Sequence, residues 1–228
     1  METISKSSLG TFESCKRKYF YSLLGFKTEL NEYMKYGLDF HSIIEKYNKN
    51  LIKNDDSIPS MNEKFRGNFY SYKKFLDNLK EIGYNKVPYS CELPISYEQF
   101  FGYIDVIFTN DKDEYLIADF KTIPNFREFS EDKYKMELVF YAYVFSKMKN
   151  IPLNKIKTVL LRFEQNGKNS DINFIDIDEI SVTYYMNIAE KMKDFINNSK
   201  GKIEEFPMVD LNKSSYTCKY CDFYKICK

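Results

Sequence analysis

The stretch GYIDVIFTNDKDEYLIADFKTI, residues 102–123, decides the fold class. Two runs rich in Tyr, Ile, Val and Phe flank the polar segment 110–113, a pattern typical of two strands joined by a turn. A similar run over residues 89–98 precedes them, so the three runs predict an antiparallel meander. Each of the last two runs carries an aspartate, Asp105 or Asp119, among apolar residues.

Helical patterns surround this meander. Apolar residues recur at helical spacing over 5–24, 32–52, 61–82, 131–149 and 179–198, and further strands are predicted at 156–164 and 172–177. This order predicts an α/β fold in which helices flank a mixed sheet. No internal repeat or low-complexity linker divides the chain, so we expect one domain over residues 1–228.

Composition narrows the functional classes. The 34 Lys and Arg nearly balance the 33 Asp and Glu, and the formal net charge of +1 excludes a uniformly basic nucleic-acid coat. A local basic stripe beside an acidic metal site would also sum to nearly zero, so nucleic-acid binding is not excluded. No apolar run is long enough for a membrane span or a signal segment. We therefore expect an intracellular, cytoplasmic protein that contacts no membrane.

Cysteines crowd the end of the chain, where Cys218, Cys221 and Cys227 form a C-x2-C-x5-C pattern. Intracellular chains rarely keep disulfides, so this cluster indicates metal or redox chemistry. A tetrahedral thiolate site needs a fourth ligand. We favour Cys15, which lies among charged residues, over Cys91, which lies in a strand-like run where a small buried thiol is common. The spacing leaves zinc and an iron–sulfur cluster as alternatives.

A second group of residues suggests a catalytic site. Asp119 and Lys121 are two apart, so their side chains point to the same side of a strand. Asp105 adds a carboxylate from the neighbouring strand, and His41 and Glu45 share one face of a helix. Carboxylates hold Mg²⁺ or Mn²⁺, and Mn²⁺ also accepts an imidazole. Together with a lysine that orients water and offsets phosphate charge, such a site suits phosphodiester hydrolysis.

These residues match the motifs of a known family. The chain resembles PD-(D/E)XK nucleases of the RecB-like branch, and more narrowly the iron–sulfur exonucleases of the fourth CRISPR-associated (Cas) family and the nuclease domain of AddB. The matching motifs are Cys15 with its basic and aromatic followers, Gly37-x3-His41-x3-Glu45, Gly102-x2-Asp105, Asp119-x-Lys121 and Cys218-x2-Cys221-x5-Cys227.

The resemblance implies a restriction-endonuclease-like core of order α-β-β-β-α-β, with N-terminal helices and a C-terminal cysteine cluster that ties the two termini together. It implies that Cys15, Cys218, Cys221 and Cys227 hold a [4Fe–4S] cluster. Residues 1–30 and 205–228 would form this iron–sulfur region, and residues 31–200 would form the nuclease core.

The implied activity is that of a metal-dependent DNA exonuclease, acting on single strands or DNA ends in recombination, phage or CRISPR-type processing. In this interpretation His41, Asp105 and Asp119 bind Mg²⁺ or Mn²⁺. Lys121 orients the attacking water, and Glu45 is a supporting catalytic residue.

Arg17, Lys18, Tyr141 and Arg162 are the predicted DNA contacts. Relatives usually carry Gln four residues before the tyrosine, and Glu137 stands there instead. Protein partners in a recombination or CRISPR complex, or a homo-oligomer, are possible assemblies. An alternative function is a non-catalytic subunit that binds DNA ends or acts as a scaffold in a larger nucleoprotein complex. The intact acidic and lysine motifs count against that alternative.

Overall fold

A computed structural model describes residues 3–126, 131–209, 218, 219 and 221–227, without the side chains of 131–133. Within these residues one sheet has the order β1 (Ser90–Tyr97), β2 (Phe100–Thr109), β3 (Tyr115–Ile123), β4 (Ile156–Glu164) and β5 (Ser170–Ile175). β1, β2 and β3 are antiparallel, β4 runs parallel to β3, and β5 is antiparallel to β4. The predicted meander and mixed α/β sheet are confirmed.

Helices cover both faces of this sheet. They are α1 (Lys6–Ser14), α2 (Lys16–Leu23), α3 (Glu32–Ile52), α4 (Arg66–Asn78), α5 (Glu131–Lys149), α6 (Glu179–Asn198) and the single turn α7 (Tyr224–Cys227). α1, α2, α5 and α6 share one apolar layer with the sheet, and α3 and α4 share the other. None of the described helices is both long enough and apolar enough to cross a membrane.

β4 lies between the two layers and explains one feature of the sequence. Leu160 belongs to the layer under α5, whereas Val159 and Leu161 belong to the layer under α3 and α4. All three side chains are fully buried or nearly so. A strand covered on both faces needs apolar residues at consecutive positions rather than alternating ones.

Two predicted helices have different boundaries in the structure. The single helix expected over 5–24 is wrong, because Cys15 is extended, with φ −166° and ψ 111°, and separates α1 from α2. Its Sγ accepts the backbone N–H of Lys18 at 3.4 Å and so caps the start of α2. The helix expected over 61–82 begins as a 3₁₀ turn capped by Asn62 and continues as α4 only to Asn78.

A close contact between Gly67 on α4 and Gly167 in the β4–β5 turn allows a test of packing. A Cβ on Gly67 would come within 2.1 Å of the Gly167 carbonyl oxygen. We expect Gly67→Ala to lower the free energy of unfolding by about 1–3 kcal/mol, as overpacking against backbone does. The higher helix propensity of alanine over glycine would offset this loss of stability by only about 1 kcal/mol.

The matched control is Gly10→Ala on α1, where the nearest atom to an added methyl group, Met136 Cε, lies at 3.8 Å. Urea unfolding should show little loss of stability, or a small gain, for this variant. Equal effects of the two substitutions would contradict the packing explanation.

Candidate active site

β2 and β3 separate at Asp105, and this opening begins the site. Their ladder runs from Thr109–Tyr115 to Val106–Ala118. At the next position the Asp105 carboxylate accepts the backbone N–H of Phe120 through Oδ2 at 2.8 Å. A side-chain oxygen of Asp105 thereby replaces the backbone carbonyl that a continuous ladder would offer, and it satisfies the Phe120 N–H.

Four charged side chains meet beside this opening, and we call Lys6, Asp119, Lys121 and Glu137 the lysine–acid cluster. Lys121 Nζ lies 2.6 Å from Asp119 Oδ2 and 2.9 Å from Glu137 Oε2. Lys6 Nζ lies 3.1 Å from Asp119 Oδ1 and 3.0 Å from the same Glu137 oxygen. Each lysine therefore bridges both carboxylates. The sequence singled out Asp119 and Lys121 but gave no reason to select Lys6.

The cluster keeps its central groups charged. Burial alone would raise the pKa of Asp119, which is 1% exposed, but the ammonium groups of Lys121 and Lys6 lower it to about 2. Burial would also lower the pKa of both lysines, yet Asp119 and Glu137 hold them above their ordinary value. Asp119 is thus an anion, and both lysines are cations, near neutral pH.

A second group, which we call the His–acid group, consists of His41, Glu92 and Asp105. Candidate ligand atoms of these three residues all lie within 4.8 Å of one another. His41 Nδ1 is 3.7 Å from Asp105 Oδ2. Two carboxylates and an imidazole match the preferences of Mn²⁺, and the carboxylates match those of Mg²⁺, so these residues fit a divalent cation.

Glu92 was missed by the sequence interpretation. Its neighbours pair as Cys91 with Val106 and Leu93 with Ile104, so Glu92 lies across from Asp105. Like charges at facing positions destabilise a sheet. Burial, followed by the nearby Asp105 and Glu45, raises the pKa of Glu92 to about 7. Only the register of β1 against β2 could have identified it.

The helix α3 approaches the sheet closely, which explains the spacing from Gly37 to His41. A Cβ on Gly37 would lie 2.9 Å from Thr122 Oγ1, so a larger residue would push α3 away from β3. One turn later the His41 and Phe120 rings pack edge to face, with centroids 5.9 Å apart. Another turn on, Glu45 forms an ion pair with Lys49.

One surface cavity of about 780 Å³ joins the two groups; its polar lining includes Lys6, His41, Glu45, Glu92, Asp105 and Lys121. The predicted ligand Asp119 lies behind this lining, because its two oxygens face the lysines. A carboxylate has about four lone-pair sites, so these contacts leave it acceptor capacity.

The predicted DNA contacts occupy two kinds of environment. Tyr141 is 3% exposed, and Lys6 Nζ lies 4.8 Å from the centre of its ring. Arg162 is 5% exposed and forms an ion pair with Asp171 on β5. Arg17 and Lys18 on α2 are only partly buried.

The four predicted cluster ligands lie where the chain ends meet. Tyr21 on α2 donates a hydrogen bond to the Ile226 carbonyl at 3.0 Å, and Arg17 Nε donates one to the Phe206 carbonyl at 2.6 Å. The Tyr21 and Phe223 rings contact edge to face. These contacts hold the C-terminal segment against α2.

The thiols themselves are free, and Cys15 is buried while Cys218, Cys221 and Cys227 are partly exposed. Burial raises the pKa of Cys227, and the thiols of Cys15, Cys221 and Cys218 add to this. Residues 210–217, 220 and 228 of the predicted iron–sulfur region lie outside the described residues.

The sequence-family model of the PD-(D/E)XK nuclease superfamily matches residues 3–228. The chain belongs to this superfamily. The prediction at superfamily level is thus confirmed, and with it the restriction-endonuclease-like core. Divalent metals are typical of PD-(D/E)XK nucleases, and DNA is the substrate that the family implies. The His–acid group is a candidate metal site in this nuclease.

A solved structure shares the fold of this PD-(D/E)XK nuclease. The crystal structure of a "Putative exonuclease" from Eubacterium rectale superposes with a TM-score of 0.62 at 12% identity, covering 100% of this chain and 88% of the other. SSO0001 gives a TM-score of 0.39 at 17% identity, covering 93% and 92% of the two chains, which is too low to support an argument. No curated protein sequence matches the chain significantly.

The raised pKa of Glu92 predicts a pH dependence of stability in the metal-free protein. The native state holds a proton on Glu92 up to about pH 7, whereas the unfolded chain releases it near 4.5. Between these values the native state binds more protons, so the free energy of unfolding falls as pH rises. Glu92→Gln should remove this component, as urea unfolding of the chelator-treated protein at several pH values would show.

Mn²⁺ should restore stability at neutral pH in the wild type more than in Glu92→Gln. Parallel pH profiles for the two proteins, with equal effects of Mn²⁺, would show that Glu92 neither titrates in this range nor takes part in cation binding.

Proposed function

We propose that this chain is a divalent-metal-dependent deoxyribonuclease of the RecB-like branch, an exonuclease that acts on single-stranded DNA or DNA ends. The observation that carries the proposal is the convergence of His41, Asp105 and Lys121 on one cavity, with Asp119 directly behind them. Groups that could hold a cation thus lie beside a lysine that could attract a phosphate, which is the combination that phosphodiester hydrolysis needs.

The proposed roles follow from position. Asp105 and His41, with Glu92, would hold Mg²⁺ or Mn²⁺, and Asp119 would contribute from behind. A bound divalent ion supplies an activated water and stabilises negative charge on a phosphate. Lys121 would orient that water and attract the phosphate, held in place by its contacts at 2.6 and 2.9 Å. Glu45 would support the rim of the cavity.

The four residues predicted to contact DNA differ in burial, and we assign them different roles. Partly exposed cations can meet phosphates directly, so we assign direct contact to Arg17 and Lys18. Tyr141 and Arg162 are nearly buried, and we assign them to the support of the site from behind. A cavity open to solvent suits a strand end or an unpaired strand.

We propose further that Cys15, Cys218, Cys221 and Cys227 hold a [4Fe–4S] cluster. Four thiolates are the usual ligands of such clusters. The contacts of α2 with the C-terminal segment support the proposal, since they bring ligands from both ends of the chain together. The role would be architectural, because metal binding adds its free energy to that of folding.

Removing the central groups should strongly reduce cleavage. Lys121→Met and Asp105→Asn should each lower the Mn²⁺-dependent release of nucleotides from end-labelled single-stranded DNA by about 10²–10³-fold, the usual cost of losing a group that stabilises developing charge. Circular dichroism should show an unchanged fold.

Lys86→Met is the control, because Lys86 pairs with Asp77 at the surface at 3.5 Å and lies outside the cavity. It should cleave like the wild type. A wild-type protein that binds DNA ends in Mn²⁺ but leaves them intact would overturn the catalytic proposal in favour of the DNA-end-binding subunit.

The cluster proposal has its own test. Anaerobically purified protein should be brown and contain iron, and Cys218→Ala should lose both the colour and thermal stability. Cys91→Ala is the matched control, because Cys91 lies in the other apolar layer beside α3 and α4. Zinc in place of iron, or a Cys218→Ala variant with full iron content, would contradict the proposal.

A further inference from the structure

Lys6 lies in the candidate active site, although the sequence analysis gave no reason to place it there. It is the first residue of α1, whose start is fixed by hydrogen bonds between Ser5 and Ser8. The preceding Ile4 hydrogen-bonds to β2 through the Phe101 N–H at 2.9 Å. Lys6 is therefore held from both sides, and its side chain crosses to acids on β3 and α5.

Lys6 and Lys121 are equivalent in their contacts. Each contacts Asp119 and Glu137 at 2.6–3.1 Å, and each side chain is 22% exposed. An ammonium group has three N–H donors, so contacts with two carboxylates do not exhaust either lysine. Both lysines also line the cavity that contains the His–acid group.

The charge balance of the lysine–acid cluster depends on Lys6. With it, two cations face two carboxylates. Without it, Lys121 would be the one cation of the cluster facing two carboxylates, and the cluster would carry a net negative charge beside Asp105 and Glu92. A phosphate would then approach an excess of carboxylates, which is electrostatically unfavourable in a partly buried site.

We infer that Lys6 is a positioning residue of the nuclease site, one whose charge cancels that of Glu137 and leaves Lys121 available to a DNA phosphate. This inference rests on the proposed function. It also gives Tyr141 a role from inside the protein, since its ring lies 4.8 Å below the Lys6 ammonium and helps to hold it.

A purely structural role for Lys6 makes a different prediction. If Lys6 only tied α1 to α5, removing Glu137 as well would not repair its loss. If Lys6 balances charge, the loss of the acid should repair the loss of the lysine. The two explanations therefore separate in a double-mutant cycle.

The experiment compares Lys6→Met, Glu137→Gln and the double variant with the wild type. Lys6→Met should lower kcat/KM for single-stranded DNA about tenfold, the lower range for loss of a supporting partner. It should tighten Mn²⁺ binding, measured by calorimetry without DNA, because the site becomes more negative. In the double variant, both kcat/KM and the Mn²⁺ affinity should return towards the wild-type values. Lys6→Arg should keep both close to the wild-type values.

Lys193→Met is the matched control. Lys193 also bridges two carboxylates, Glu98 at 2.9 Å and Glu190 at 3.1 Å, and its side chain is 23% exposed. It should change neither cleavage nor Mn²⁺ affinity. Wild-type behaviour of Lys6→Met, or equal impairment of the single and double variants, would overturn the inference.

Calorimetry keeps this test separate from the proposed function. A wild-type protein that cleaves no DNA would end the nuclease proposal, whereas the Mn²⁺ cycle would still report on the charge balance. If Lys6→Met does not fold, Glu137→Gln alone tests the inference. Removing this acid leaves the cluster with one surplus cation, which should weaken Mn²⁺ binding. An unchanged Mn²⁺ affinity of Glu137→Gln would refute the inference.

Discussion

A carboxylate removed from water needs a compensating cation, and Asp119 imposes this requirement on the rest of the site. Its own strand supplies Lys121, and α1 supplies Lys6 from 113 residues earlier in the chain. Both lysines then need a second acid, which Glu137 provides from α5. One buried charge thus fixes the relative positions of β3, α1 and α5 around the cavity.

Asp105 meets the same requirement in another way. It lies where β2 and β3 part, and it accepts the backbone N–H of Phe120 rather than an ammonium group. Burial and the nearby Asp119 raise its pKa, so it is less well compensated than its neighbour. Glu92 faces it with φ of 47°, a left-handed conformation that is unfavourable for a residue with a side chain. Strain and unbalanced charge of this kind are typical of sites that a ligand stabilises.

The sequence predicted what depends on local periodicity. The two-residue period of β3 gave Asp119 and Lys121 a common face, and the helical period of α3 did the same for His41 and Glu45. It did not predict Lys6 or Glu92, because their places depend on the docking of α1 and on the register of β1. Alternation itself fails at the opening of β2: Ile104 lies in one apolar layer and Val106 in the other, although a regular strand would place both on one face.

The separation of charge within the cavity explains how a nearly neutral chain can attract a polyanion. A formal net charge of +1 gives little long-range attraction, so attraction must come from local fields. The lysine–acid cluster presents cations whose acids are already neutralised, whereas the His–acid group presents acids that lack such partners. A divalent ion would cancel the charge of the two carboxylates in the second group and leave the first unchanged. Phosphate would therefore meet uncompensated carboxylates in the metal-free cavity but not in the metal-bound one, which couples substrate binding to the presence of the metal.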